Sequence, residues 1–276
     1  MASAKATLTL FIVVAFLMAG CGSSTEPATK ETKAPAAKRP TTKPDLPTAA
    51  EQTAAIAKFS KLGRPIYCGG KAKPWVALTF DDGPGPYTER VLALLNRRHI
   101  RRTFFINGKN VATYRDALRH EARSRSAVGN HTWSHKLLTS LDAEEQKREI
   151  ISSQRAIARV TGRPVNLFRP PYGAHDKYTD RIVRRSGAVT ILWDIDSEDA
   201  LGANYKEISR HVKHGFRPGS IILLHENRGQ TLRALKYTIL PALKKSKVIP
   251  VTVPEMLAGN PPSTKQLRRG RDGCAR

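Results

Sequence analysis

A parallel α/β domain, a barrel in its closed form, is the architecture the sequence predicts, and three observations predict it. Short apolar runs recur through the middle of the chain, too brief for helices and too continuous for strands with one wet face. Helix-patterned segments separate most of these runs. Each run also leads into a cluster of polar side chains, as expected where chemistry collects at the C-terminal ends of parallel strands.

Trp75-Val-Ala-Leu-Thr-Phe80 reads as the first buried strand. Pro86 opens a helix through Leu95, with Val91, Leu94 and Leu95 on its apolar face. Thr103-Phe-Phe-Ile106 is a second strand. Asp142, with Glu145 three places on, caps a helix that ends near Gly162, before Pro164. Asn166-Leu-Phe168, Val189-Thr-Ile-Leu-Trp193, Ser220-Ile-Ile-Leu-Leu224 and Val248–Val251 supply further strands. Residues 66–260 are therefore read as one domain.

The flanks differ in composition. Lys5, the apolar stretch Leu8–Met18 and the small residues Ala19 and Gly20 have the pattern of a cleaved signal peptide, residues 1–20. Leu17-Met-Ala-Gly-Cys21 resembles a bacterial lipoprotein box, with Met18 where Leu is usual. Acylation of Cys21 would hold the protein on the extracellular face of the membrane; plain secretion is the alternative. Residues 22–47 are rich in Pro, Thr, Ala, Lys and Ser and have no large apolar residue before Leu46, so they cannot bury a core. Residues 21–65 read as a lipid-anchored disordered linker, with a candidate short helix in the Ala-rich stretch 49–62. Residues 261–276 read as a basic tail pinned only by Cys274.

Over 276 residues the formal net charge is +24. A cytoplasmic chain so basic would suggest nucleic acid, but no aromatic-and-basic stacking module is present and the signal directs export. Anionic wall polymers and lipid headgroups are the expected attractions. There are three cysteines. With Cys21 lipidated, Cys68 and Cys274 remain as a pair that an oxidising exterior allows to bond.

Five polar clusters follow the strands. Asp81-Asp82-Gly83-Pro84 places two carboxylates where burial is costly unless they meet a metal or protons, although Asp-Gly-Pro is also ordinary turn chemistry. His131 and His135, at i and i+4, suit one metal ion if they share a face of a helical turn. Position 132 is Thr, not the Glu of a zinc-protease motif, so a general base must come from elsewhere. Arg169-Pro170-Pro171-Tyr172-Gly173 is a stiff loop whose Arg can clamp a carboxylate. Asp194, Asp196, Glu198 and Asp199 crowd the next strand end, and His225 follows Leu223-Leu224 as a buried His or a general acid.

Taken in order, Thr79-Phe-Asp-Asp-Gly83, His131-Thr-x-x-His135, Arg169-x-Pro-Tyr172, Asp196-x-x-Asp199 and Leu223-x-His225 resemble the five motifs of the carbohydrate esterase family 4 polysaccharide deacetylases, the NodB homology domain. The resemblance covers about residues 75–256. It implies a distorted (β/α) barrel, mostly parallel, with one divalent metal on Asp82, His131 and His135. Zinc is the default, with cobalt, manganese or nickel as substitutes. Which Asp is ligand and which is base comes from the family; it assigns the base to Asp81, held by Arg169. His225 would protonate the leaving amine, with Asp199 tuning it. The Tyr172 N–H would stabilise the oxyanion. Leu223 would line the acetate pocket, and Pro171 is placed with them on the substrate side.

The family's fourth motif usually ends in Trp, where this chain has Ala200. The expectation is therefore a monomeric hydrolase removing N-acetyl groups from a cell-wall polysaccharide containing N-acetylglucosamine, peptidoglycan or chitin-like oligomers. The alternatives are an O-acetyl esterase on acetylated xylan and an inactive wall-binding lipoprotein.

Overall fold

The structure is a computed structural model and describes residues 45–123 and 125–275. The signal segment, Cys21 and most of the proposed linker lie outside the described residues.

Eight strands form one sheet: β1 (Trp75–Gly83), β2 (Arg102–Ile106), β3 (Ser126–Asn130), β4 (Leu167–Phe168), β5 (Val189–Thr190), β6 (Ile195–Asp196), β7 (Ile221–His225) and β8 (Ile249–Pro250). The order is β5-β4-β3-β2-β1-β7-β6, β8 also pairs with β1, and every one of these pairings is parallel. Val189–Asp196 bonds β4 at its start and β7 at its end, so the sheet curls towards closure as a (β/α) barrel. The strand expected over Val189–Trp193 is thus cut to β5, Val189–Thr190, and β6 starts only beyond it, at Ile195, where the chain turns to a different neighbour.

The helices are α1 (Ala49–Leu62), α2 (Thr88–Arg97), α3 (Arg115–Glu121), α4 (Ala143–Thr161), α5 (Lys177–Arg185), α6 (Tyr205–His214), α7 (Gly229–Ala234), α8 (Leu240–Lys245), α9 (Val253–Gly259) and α10 (Thr264–Arg269). None among the described residues is long and apolar enough to cross a membrane. Helix α4 starts at the Asp142/Glu145 capping box and stops at Gly162, whose φ of 68° favours glycine.

Strand alternation divides the core. Val76, Leu78 and Phe80 face an outer layer with Val91, Leu95 and Ile157 of the surrounding helices. Trp75 and Ala77 face inward with Phe105, Leu167, Ile191 and Ile221. Both faces of β1 are buried, which is why its sequence is continuously apolar.

Two segments read as peripheral belong to this folded body. Helix α1 buries Ile56 and Phe59 in the inner cluster beside Met256 and Leu257 of α9, so folding begins before residue 66. Burying a Phe side chain is worth about 2 kcal/mol, which contributes to holding this capped helix on the domain. Pro47 lies against Gly259, which also meets the ring edge of Trp75. The C-terminal segment is likewise more than a pinned tail. Ser263 and Gln266 cap α10, Gln266 donates to the Gly69 carbonyl at 2.9 Å, and Leu267 joins the inner cluster. A disulfide links Cys68 to Cys274.

Candidate active site

The inward column of β1 ends in the site. Above Trp75 and Ala77 come Thr79 and Asp81, both buried. Strand alternation alone would send Asp81 and Asp82 to opposite faces. A bulge between Phe80 and Gly83 and a left-handed Asp82, φ 70°, break that alternation and turn both carboxylates to one place. Gly83 must lack a side chain there, since a Cβ would fall 1.4 Å from Glu226 Oε1.

His131 and His135 reach the same place from the loop after β3, not from a helical turn. Thr132 and His135 have φ of 68° and 63°, which no helix permits. Side chains hold the loop: Asn130 Oδ1 accepts from the Thr132 N–H at 3.0 Å, and Thr132 Oγ1 from the His135 N–H at 3.1 Å. The i, i+4 spacing still brings the imidazoles together, with centroids 4.9 Å apart.

One ligand atom each from Asp82, His131 and His135 lies within 4.8 Å of the others. His131 Nδ1 stands 2.7 Å from the Arg169 carbonyl, which can only accept, so Nδ1 carries the hydrogen. His131 Nε2 then presents a lone pair towards Asp82 Oδ1 at 3.8 Å and Asp81 Oδ2 at 3.7 Å. His135 Nε2 is 3.3 Å from Asp82 Oδ1. Electron pairs converging on one point repel unless a cation lies between them, and two imidazoles with one carboxylate form a familiar zinc-type donor set. The residues fit a divalent metal. Burial acts to raise the Asp82 pKa, but the three neighbouring histidines and Asn107 hold it below its usual value. Burial depresses His135, favouring the neutral ring that ligation requires.

Arg169 is fully buried. Its Nη1 donates to Asp81 Oδ1 and Thr79 Oγ1, each at 2.8 Å, and its other nitrogens to the carbonyls of Ile191 and Leu192. Phe105 lies 4.1 Å from its guanidinium carbon. Burial lowers its pKa, opposed by Asp81. Thr79, which opens the first motif but to which the sequence assigned no role, is the fourth acceptor of this clamp.

His225 is the register partner of Asp81 across β1 and β7. Its Nδ1 lies 2.6 Å from Asp199 Oδ1, while its backbone N–H donates to Asp199 Oδ2 at 2.7 Å. Thr231 also donates to Asp199, a partner nothing in the sequence pointed to. Burial alone would lower the His225 pKa; the hydrogen bond and charge of Asp199, with Asp81 and Asp82, outweigh it and raise it to about 9. Leu223, paired with Thr79, is buried on the same face two residues before His225.

Pro171 is buried in the short turn that places Tyr172, φ 60°, at the rim. The Tyr172 ring is 68% exposed and meets His135 edge-on, with centroids 5.0 Å apart. Trp193 underlies this turn, its ring 3.2 Å from where a Gly173 Cβ would stand. Ala200 and Leu201 are exposed, so no large side chain occupies position 200 itself. The site thus gathers a metal-type donor set, a clamped carboxylate and a carboxylate-wired imidazole, the groups needed for hydrolysis of an acyl bond.

Residues 69–191 match the polysaccharide deacetylase family. The chain is 30% identical to a peptidoglycan-N-acetylglucosamine deacetylase of Bacillus cereus over 194 residues, covering 69% of this chain and 70% of that protein. It is 33% identical to a chitooligosaccharide deacetylase of Azorhizobium caulinodans, covering 61% of this chain and 88% of the other. Among solved structures it resembles the Bc1960 peptidoglycan N-acetylglucosamine deacetylase, with a TM-score of 0.66 and 29% identity over 74% of this chain and 95% of that one.

Proposed function

The chain belongs to the polysaccharide deacetylase family, and from that premise we propose that it removes N-acetyl groups from N-acetylglucosamine units of cell-wall peptidoglycan. The observation that carries this reading is the convergence of Asp82, His131 and His135 between two separately wired proton-transfer groups, Asp81 on Arg169 and His225 on Asp199.

Asp82, His131 and His135 hold the metal, zinc by the character of the donors. When bound, it supplies Lewis acidity for the acetyl carbonyl and the attacking water. Asp81 takes the proton from that water, oriented by Arg169. The Tyr172 N–H donates to the developing oxyanion, a contact of a kind worth about 3 kcal/mol. His225, protonated through its pairing with Asp199, hands a proton to the departing amine. Leu223 receives the acetyl methyl.

The related enzymes act on peptidoglycan and chitooligosaccharides, which supports an N-acetylated glycan over acetylated xylan. The test is acetate release from peptidoglycan, N-acetylglucosamine oligomers and acetylated xylan, with and without chelator. Chelator-sensitive release from the first two supports the reading; release from xylan alone replaces it with the esterase, and release from none leaves a binding protein.

We place the enzyme outside the cell, cleaved before Cys21 and anchored by lipid there, on the strength of the N-terminal sequence. Cys21→Ser should release it from the membrane fraction or stall its processing; unchanged membrane association rejects the anchor.

A further inference from the structure

A groove of about 450 Å³ opens beside the metal-ligand loop. Its cationic lining is Lys136, Arg148, Arg155 and Arg159, and Trp133 contributes an aromatic wall. The three arginines, at i, i+7 and i+11, share one face of α4. At the helical rise this sets them roughly 10 Å and 6 Å apart along the axis.

The groove also contains two acids, but both are engaged within the protein. Glu149 accepts from the Ser134 N–H and hydroxyl at 2.8 and 2.6 Å. Glu145 accepts from the Asp142 N–H at 3.4 Å, closing the α4 capping box. Among the described residues, none of the four cations has a carboxylate oxygen within 4.0 Å. The helix dipole favours Arg159 in the last turn but gives no reason for Arg148 in the first half or for Lys136 on the loop.

The wall nearest the chemistry is Trp133, two residues after His131 and two before His135. It is 39% exposed, and its inner edge packs on Gly108, where a Cβ would fall 2.6 Å from the ring. A ring half buried and half offered to a groove suits the apolar face of a sugar. The guanidinium fork matches planar carboxylates in two-point contact.

We propose that this groove is a second substrate subsite, which holds carboxylates borne on the glycan strand whose acetyl group lies in the active site. The same strand is the occupant, not a separate polyanion, because Trp133 and Lys136 sit on the loop that carries His131 and His135. The end of the groove formed by Trp133 and Lys136 is therefore its end next to the metal-ligand loop. The subsite deepens the proposed function and rests on it: it selects acidic N-acetylated glycans over neutral ones.

The test uses the full chain and the Arg155→Gln/Arg159→Gln double variant, with folding checked by circular dichroism. Three substrates are compared: peptidoglycan strands with free carboxylates, the same strands amidated, and neutral N-acetylglucosamine oligomers. For the carboxylated strands the double variant should raise KM about tenfold and keep kcat, as expected for losing two partly exposed charge-assisted contacts. KM for the other two should not move. An equal rise on neutral oligomers, or no rise on any substrate, overturns the subsite. A polyglycerol phosphate that binds the wild type more tightly than the carboxylated strands, and loses that binding in the double variant, assigns the groove to a separate polymer and also overturns it. If no substrate releases acetate, the proposed function fails on its own. The subsite is then judged by co-sedimentation, where wild type should retain carboxylated strands better than amidated ones and the double variant should not.

Discussion

His225 and Asp199 are joined twice, by an imidazole Nδ1 2.6 Å from one carboxylate oxygen and by a backbone N–H 2.7 Å from the other. The second bond fixes the carboxylate, so the first fixes the ring and leaves Nε2 as the atom that can pass a proton. The raised pKa, about 9 against an ordinary 6.5, keeps the ring charged at neutral pH. Folding stability from this pairing is fully present below pH 6.5 and lost as pH rises through about 9. The Asp199 pKa is lowered, against the pull of burial, chiefly by its bond to His225, so its contribution is lost only as pH falls through that lowered value.

The alkaline limb of kcat/KM should therefore lie above 6.5 and no higher than about 9, since a cation beside Asp81 and Asp82 offsets their share of the shift. Asp199→Asn should move that limb towards neutrality and lower kcat about a hundredfold or more, the scale of general acid catalysis. An unchanged limb would mean that another group donates the proton.

His131→Ala and His135→Ala should each abolish metal retention, measured by elemental analysis after dialysis, together with acetate release. Loss of one imidazole leaves two protein ligands where catalytic zinc sites have three. Full metal content in either variant rejects the ligand set.

Asp81→Asn should keep the metal and lose most turnover, whereas Asp82→Asn should lose the metal. The reverse pattern exchanges the two roles. Arg169→Leu leaves Asp81 buried without its partner, so it should destabilise the fold by about 3–5 kcal/mol in denaturant unfolding. A loss below 1 kcal/mol would show that Asp81 has water or another donor there.

Phe59→Ala should cost about 3–5 kcal/mol, the usual penalty for emptying a buried Phe site, because Phe59 is only 3% exposed. An unaffected melting curve would return residues 49–62 to the tether. Reducing the Cys68–Cys274 bond, with a sequence separation of 206, should cost at most roughly 5 kcal/mol by loop entropy.

Where a local pattern was strong, the sequence was readable. Both faces of β1 are buried, so Trp75–Phe80 shows as an unbroken apolar run, and Asp142 with Glu145 marks the start of α4 to the residue. Strand β3, Ser126–Asn130, was not legible, because Ser, Gly and Asn carry no apolar signal and its outer half is only partly buried. The His131/His135 pair was legible as a pair but not as a loop, since the left-handed turns at Thr132 and His135 rest on Asn130 and Thr132 side chains, which spacing cannot reveal. Thr231 was hidden for a related reason: it reaches Asp199 from 32 residues away, through the fold alone. Compositional bias misled at both ends. Ala-rich and Arg-rich segments look solvated, yet Ile56 and Phe59 are buried in the first, and in the second Cys274 is buried while Leu267 packs, partly buried, against the inner cluster.

Pro47 and Gly259 flank Trp75 at the first residue of β1, whereas Asp82 stands seven residues further along the same strand, roughly 23 Å at the usual rise. The polypeptide therefore enters the barrel at its floor and the chemistry opens at its ceiling. A fusion partner, an affinity tag or a solid support joined ahead of residue 45 grips the molecule from behind, so immobilised enzyme should keep its mouth clear for long, insoluble chains.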